Sequence, residues 1–550
     1  MKRKIVSLVL ILCMLATLCS CSSKPSSTAV TSEKSSEAAL EIAPSTTENT
    51  STKDCKELVI AIGKDIGDLN PHQYNGQMPA QDWVYDGLTA MVDGKVEPSL
   101  AESWDISEDG MTYTFHLRDA TFSDGSKLTA ELVIKNFETV IAHRERHNFI
   151  QTLFVIDSME APDTHTFVVH LTQPCNSLLD DLSFIRPLAI VAEAAIPEGG
   201  DTFDGLTEQI GCGPWVLTEY VENQYSVFTR NENYWGEVPV FETLKVVVIP
   251  DPDTVANALR AGEIDLFVDT SKAMSIDTFF ALEAEGFTTE SNLETNIYTI
   301  YLNTAGEVTG DLAVRKAIEY ATDKTAIAEH IFGGLTTPAD CYFDPSVRYV
   351  ETASYDTYSY DPDKAAAVLE EAGWMLNEST GYREKDGKVC EFDVLYDTAV
   401  KIGKDTCTIL QDQYAKVGIK MNICEEDSKV FRTKWKDGDF GGILYDSWGG
   451  SYEPFSTLAA MRTDGDKFNT VQMGMSNKAE LNEVMNDALS QVDEAKLQED
   501  FDYILQSFYD EAVYVTLVPT VRKAVYNSEL TNLNLYKGYY GIPVSEVAYK

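Results

Sequence analysis

The sequence predicts an α/β protein with a strand-rich first half and a second half of alternating helices and strands. Three observations predict it. The 550 residues include 44% hydrophobic and 10% aromatic side chains, enough for a large core and too apolar for global disorder. Before about residue 250, hairpin punctuation recurs at Ser123-Asp-Gly125 and Pro162-Asp163. After it, Asp251-Pro252 and Asp361-Pro362 each offer an N-cap followed by proline at the first helical position.

The elements follow in order. Leu58–Ile62 reads as a buried strand, and Tyr113, Phe115 and Leu117 alternate as a half-buried one. A helix is expected from about Thr129 to Ala142, then a strand at Thr166–Leu171. The helix from Pro252 stops near Gly262 and precedes a strand at Ile264–Val268; the helix from Pro362 stops at Gly373. Cys407, Leu410, Tyr414 and Val417 share one helical face, capped by Gly418 before the strand Ile419–Cys424. Gly442–Tyr445 is another strand. Long helices at 478–490 and 493–510 precede a strand at Ala512–Val518.

Charge narrows the function. Forty-three basic residues against 88 acidic ones give −45. Such a chain does not bind nucleic acid by counterion release and is repelled by anionic lipid. Cys55, Cys175, Cys212, Cys341, Cys390, Cys407 and Cys424 are odd in number and widely spaced, without a CxxC pair. They read as small buried hydrophobes rather than a disulfide framework or zinc site.

The N-terminus reads as a targeting segment. Lys2, Arg3 and Lys4 precede a 14-residue apolar run, Ile5–Leu18, too short to span a bilayer. The ending Leu18-Cys19-Ser20-Cys21 resembles a bacterial lipobox, with Cys21 the lipidated residue. Cleavage of residues 1–20 removes three basic residues and no acidic one, so −45 becomes −48. Residues 21–56 read as a flexible Ser/Thr-rich tether.

Several constellations carry candidate chemistry. His143 and His147 at i and i+4 could chelate a divalent metal from one helix face, but Arg144 and Arg146 oppose a bare cation. A solvent-facing charged helix end is the plainer reading, and the arginines suggest an anion site. Asp105–Gly110 looks like the start of a calcium loop, but position twelve is His116, so a hairpin turn is expected. Arg186 lies in an apolar setting, as ion-pair partner or ligand contact. Trp448-Gly449-Gly450-Ser451-Tyr452 puts two aromatics around a turn after a strand, where open α/β sheets bind ligands. No GxSxG, P-loop, GxGxxG after a strand or HExxH is present, and all seven histidines lie before residue 331, so an enzyme, including a secreted hydrolase, is not expected.

Motifs spread over the body carry a family resemblance: Leu69-Asn-Pro-His72, Glu97–Trp104, Gly211-Cys-Gly-Pro214, Arg230–Trp235, Asp311–Arg315, Tyr360-Asp-Pro362 and Ala372-Gly-Trp374. The chain resembles the solute-binding proteins of bacterial ABC importers, in the large peptide/nickel-binding family (family 5). Arg230–Glu237, Val248–Pro252, His143–Phe149, Ile185–Pro187 and Trp448–Pro454 resemble its nickel-binding branch. The resemblance implies a two-lobed periplasmic-binding-protein type II fold: lobe I at 57–250 with an extra subdomain at about 95–205, lobe II at 251–519, and a return to lobe I at 520–550. It implies capture of Ni(II) inside a small carboxylate-bearing chelator, with Arg146 and Arg186 on the carboxylates. Tyr74, Met78, Phe149, Trp448, Tyr452 and Tyr540 would line the cavity. The branch's metal-binding histidine is replaced here by Thr463-Asp-Gly-Asp466, leaving Asp466 as an oxygen-ligand candidate unless the chelator supplies every ligand. The expected partners are a metal chelate, an ABC permease and the membrane through the lipid alone, for a monomeric receptor. The alternative is a di- or oligopeptide receptor of the same fold.

Overall fold

The computed structural model describes residues 56–538 and 540–550. The expected signal segment 1–20, Cys21 and all of the 21–56 tether but its last residue lie outside the described residues. β1 (Glu57–Ile62) is a continuous apolar run because it has parallel strands on both sides. The chain then builds a separate antiparallel layer from β2 (Ala101–Ile106), β3 (Thr112–Leu117), β4 (Ile156–Asp163) and β5 (Thr166–Leu171), in the order β2-β3-β5-β4. Tyr113, Phe115 and Leu117 alternate inward in β3 as the period-two pattern requires. The helix Ala130–Ala142 covers this layer, and the Thr129 side chain caps it by accepting the Leu132 N–H. Between β2 and β3, Asp109 accepts the Met111 N–H, so the calcium-like segment is a hairpin turn.

β6 (Trp215–Val221), β7 (Tyr225–Arg230) and β8 (Thr243–Val248) meander back to β1. The helix Pro252–Ala261 starts where Asp251 accepts the Thr254 N–H and stops at Gly262, whose φ is +68°. It leads to β9 (Leu266–Val268), which pairs with β1. The crossing expected near residue 250 is therefore displaced. Residues 252–268 pack in the same layer as β1, and the chain leaves that layer along β10 (Thr288–Leu302).

The second layer adds β11 (Glu391–Asp397), β12 (Lys420–Glu426) and β13 (Gly442–Asp446). β14 (Tyr514–Tyr526) then runs back antiparallel to β10. The full order is β12-β11-β13-β10-β14-β9-β1-β8-β7-β6. Thr288–Leu293 and Val521–Tyr526 pair beside β9, whereas Ile297–Tyr301 and Tyr514–Pro519 pair beside β13. The register breaks between Leu293 and Ile297, so this strand pair is the connection between two layers. After β14, Leu530, Leu533, Ile542 and Val544 pack into the core that contains β1. Of the six described free cysteines, five are buried and Cys424 is half-buried. Among the described residues no helix is long and apolar enough to cross a membrane.

Candidate functional site

β13 delivers the chain to a loop at its carboxyl end, and β10 holds that loop in place. Asn296, inside the register break, donates from Nδ2 to the carbonyls of Ser447 at 2.8 Å and Trp448 at 2.7 Å. The Thr295 hydroxyl accepts the Gly450 N–H at 2.6 Å. Gly450 has φ +54°, and a Cβ there would stand 2.4 Å from the Tyr540 ring, so this turn requires glycine. Tyr540 in turn donates its hydroxyl to the Trp448 carbonyl.

The loop is thus set so that Trp448 and Tyr452 join rings from the first half of the chain. The Trp448 centroid lies 5.2 Å from Phe149 and 5.7 Å from Tyr452. Tyr452 is 5.7 Å from Tyr540, and Phe149 is 6.4 Å from Tyr74. These spacings suit tilted and edge-to-face ring packing. Tyr74, Met78, Phe149, Trp448, Tyr452 and Tyr540, the six expected cavity residues, line one cavity of about 500 Å³. A second cavity of about 270 Å³ shares Met78, Tyr452 and Tyr540 with it and continues past Trp83 and Trp235.

The two expected arginines do not form the wall. Arg186 sits beside Tyr74 and Tyr452, donates from one terminal nitrogen to the Gly76 carbonyl at 3.1 Å, and has a buried Nε without a partner. Among the described residues no carboxylate lies within ion-pair distance of it, and burial pulls its pKa below the usual guanidinium value. Arg146 is exposed, its guanidinium 4.5 Å from the Phe203 ring centroid. Both cations reach Tyr74 electrostatically, although burial raises that phenol's pKa overall.

The histidine pair needs correction. The helix ends at Ala142, His143 caps it, and Arg144–His147 form a tight 3-10 turn, so the shared helix face does not exist. His143 bonds to the Asp201 carboxylate at 3.0 Å and stacks on Phe203 at 4.2 Å. His147 is buried rather than solvent-facing and shares a 2.6 Å hydrogen bond with the Tyr74 hydroxyl. Burial, then Arg146, holds His147 down to about 4, so a neutral imidazole positions Tyr74.

Asp466 is committed locally: it caps the helix Lys467–Gln472 by accepting the Phe468 N–H at 2.9 Å, and it is not on the cavity wall. Its neighbour Lys467 was missed by sequence reasoning. That ammonium packs 4.7 Å from the Trp435 ring, 5.2 Å from Tyr445 and 5.9 Å from Trp448. Burial pulls it down to about 8. Among the described residues, no three His, Cys, Asp or Glu side chains are grouped to hold a metal ion.

Five further wall residues were missed: Asn296, Arg432, Tyr445, Asp446 and Ser447. Asp446 pairs with Lys272 at 2.6 Å, and Lys272 also lies 3.5 Å from Glu294. Burial opposes ionisation of Glu294, yet Lys272 and Arg522 beside it hold its carboxyl down to about 2. No local motif announces these contacts, because each joins segments far apart in sequence.

Residues 95–469 match the family described as bacterial extracellular solute-binding proteins, family 5. The chain belongs to this family. Over 481 residues it is 34% identical to the nickel-binding periplasmic protein of Escherichia coli K12, covering 87% of this chain and 91% of that one. A peptide-binding ABC transporter protein of Brucella ovis is 28% identical over 75% of this chain and 74% of its own. The crystal structure of NikA from Brucella suis with Fe(III)-EDTA superposes with a TM-score of 0.86 at 36% identity, covering 90% of this chain and 100% of that one. The family-5 protein therefore has the two-lobed type II fold of periplasmic binding proteins, and it is a solute-binding component of an ABC importer rather than a member of an enzyme class.

Proposed function

We propose that this family-5 protein captures nickel as a carboxylate-bearing chelate and hands it to an ABC permease. The observation that carries this reading is Arg186: a half-buried guanidinium beside two cavity tyrosines that, among the described residues, pairs with no carboxylate and has a buried Nε without a partner. Arginine presents a planar fork suited to a ligand carboxylate. The acid on the wall, Asp446, is already paired with Lys272, which weakens the peptide reading, where an open acid would receive the peptide amine. A cavity of about 500 Å³ fits a small chelate, and its ring-lined wall suits the chelator's carbon skeleton. The relatives that bind nickel or Fe(III)-EDTA support the same ligand chemistry. Metal analysis of protein purified from its native cells, with mass spectrometry of the extracted small molecule, tests this reading. Nickel with a polycarboxylate is expected; a bound peptide without metal would overturn it.

We propose lipid anchoring at Cys21 from the same sequence pattern as before, a basic start, a short apolar run and Leu-Cys-Ser-Cys. Cys21→Ser is expected to move the protein from the membrane to the soluble fraction. Retention in the membrane after that change would count against it.

A further inference from the structure

The cavity has a cationic group that neither the family motifs nor the ring cluster accounts for. Arg432 lies on the helix Ser428–Asp437, in the second layer of the fold. Phe431 and Trp435, one turn apart, are both buried and anchor this helix; their rings stand 5.8 and 5.3 Å from Tyr445. Arg432 follows the Phe431 anchor and is exposed, which brings it to the cavity wall next to Tyr445 and Asp446. Among the described residues no carboxylate pairs with Arg432, and Asp446, its acidic neighbour on the wall, is bound to Lys272 at 2.6 Å.

We propose that Arg432 is the second lobe's contact for a ligand carboxylate, so that the ligand is a chelate with carboxylates on two opposite sides. The inference rests on the chelate reading and deepens it. Arg186 belongs to the lobe that contributes Tyr74 and Met78; Arg432 belongs to the lobe that contributes Tyr445 and Trp448. A ligand with one carboxylate satisfies one lobe. A ligand with carboxylates on both sides engages both lobes, and its differential affinity then favours the closed form. Lys467 keeps the wall behind Trp448 positive in support, but it is buried among rings and does not line the cavity.

The test is calorimetry of full-length wild type, Arg432→Ala and Arg432→Lys with Ni(II)–EDTA and with Ni(II)–histidine. Arg432→Ala is expected to weaken the tighter of the two complexes about ten- to a hundredfold, the loss of one charge-assisted hydrogen bond. Arg432→Lys is expected to recover only part, because it keeps charge without the fork. Unchanged thermal unfolding of both variants is expected, since the side chain is exposed. Affinity of Arg432→Ala within twofold of wild type overturns the assignment of Arg432 and leaves the chelate reading standing. Wild type that binds neither complex overturns both.

Discussion

At the scale of single residues, the proposed chelate site is expected to set binding against stability. Arg186 is a half-buried cation with a buried, unpartnered Nε, and burial depresses its pKa because the charged form is poorly solvated. Arg186→Met fills similar space without charge. It is expected to raise the stability of the ligand-free protein by about 1–2 kcal/mol while weakening chelate binding at least tenfold. Urea unfolding and calorimetry on the same variant check the two signs; a variant that loses stability and keeps affinity would mark Arg186 as structural. Glu453, in the loop that carries Tyr452, gives a pH counterpart. Burial pushes its carboxyl up to about 8, with Asp344 and Asp446 adding repulsion. Its folded value lies above its unfolded value of 4.5, so its contribution is present below pH 4.5 and is lost as pH rises through 8. Glu453→Gln removes that slope. The variant's stability relative to wild type is expected to grow by a few kcal/mol between pH 5 and 9; a pH-independent difference in urea unfolding would contradict the burial argument.

Elements show what the sequence carried and what it did not. The helices from Pro252 and Pro362 are where the Asp-Pro signals put them, because caps are local: Asp251 and Asp361 each accept an N–H three residues on. Cys407, Leu410 and Tyr414 are buried on one face, and Tyr113, Phe115 and Leu117 on another, because periodicity reports burial directly. β10 was not foreseen. Its first half is Thr-Thr-Glu-Ser-Asn, polar residues that normally mark loops, and it forms a strand because β14 pairs with it over its length. The displaced crossing follows from the same strand, since only the pairing shows where one layer ends. The cavity rings were legible through the family motifs, whereas Arg432, Asn296 and Lys467 depend on contacts between distant strands and helices. The loop after β13 supplies an element-scale prediction. Gly450→Ala puts a Cβ 2.4 Å from the Tyr540 ring at φ +54°. It is expected to displace Tyr540 and cost about 1–3 kcal/mol of stability together with most of the chelate affinity. Wild-type thermal unfolding and affinity in that variant would show that the loop relaxes freely.

On the scale of the whole molecule, a two-lobed binding fold is expected to open and close about its connecting strands. The strands β10 and β14 are the covalent link, and Glu294, Lys272, Thr520 and Arg522 form a polar knot at their register break. Away from the cavity wall, four contacts join the first and second halves of the chain. Asn176 donates to the Ala488 and Gln491 carbonyls at 2.8 Å each, and Arg348 pairs with Asp180 at 3.0 Å. Arg462 donates to Gln151 at 2.6 Å. Half-buried hydrogen bonds of this kind contribute about 1 kcal/mol each, so removing two is expected to shift the open–closed balance without unfolding either lobe. Apparent affinity falls in proportion to the population of the binding-competent form. The double variant Asn176→Ala/Arg348→Ala is therefore expected to bind Ni(II)–EDTA roughly three- to tenfold more weakly than wild type, with the cavity itself intact. Solution scattering is expected to show a larger radius of gyration for the free variant than for free wild type, and equal radii for both at saturating ligand, because the ligand restores closure. A variant with wild-type affinity and wild-type scattering in both states would show that these contacts do not hold the lobes together, and that the hinge strands alone set the closed form.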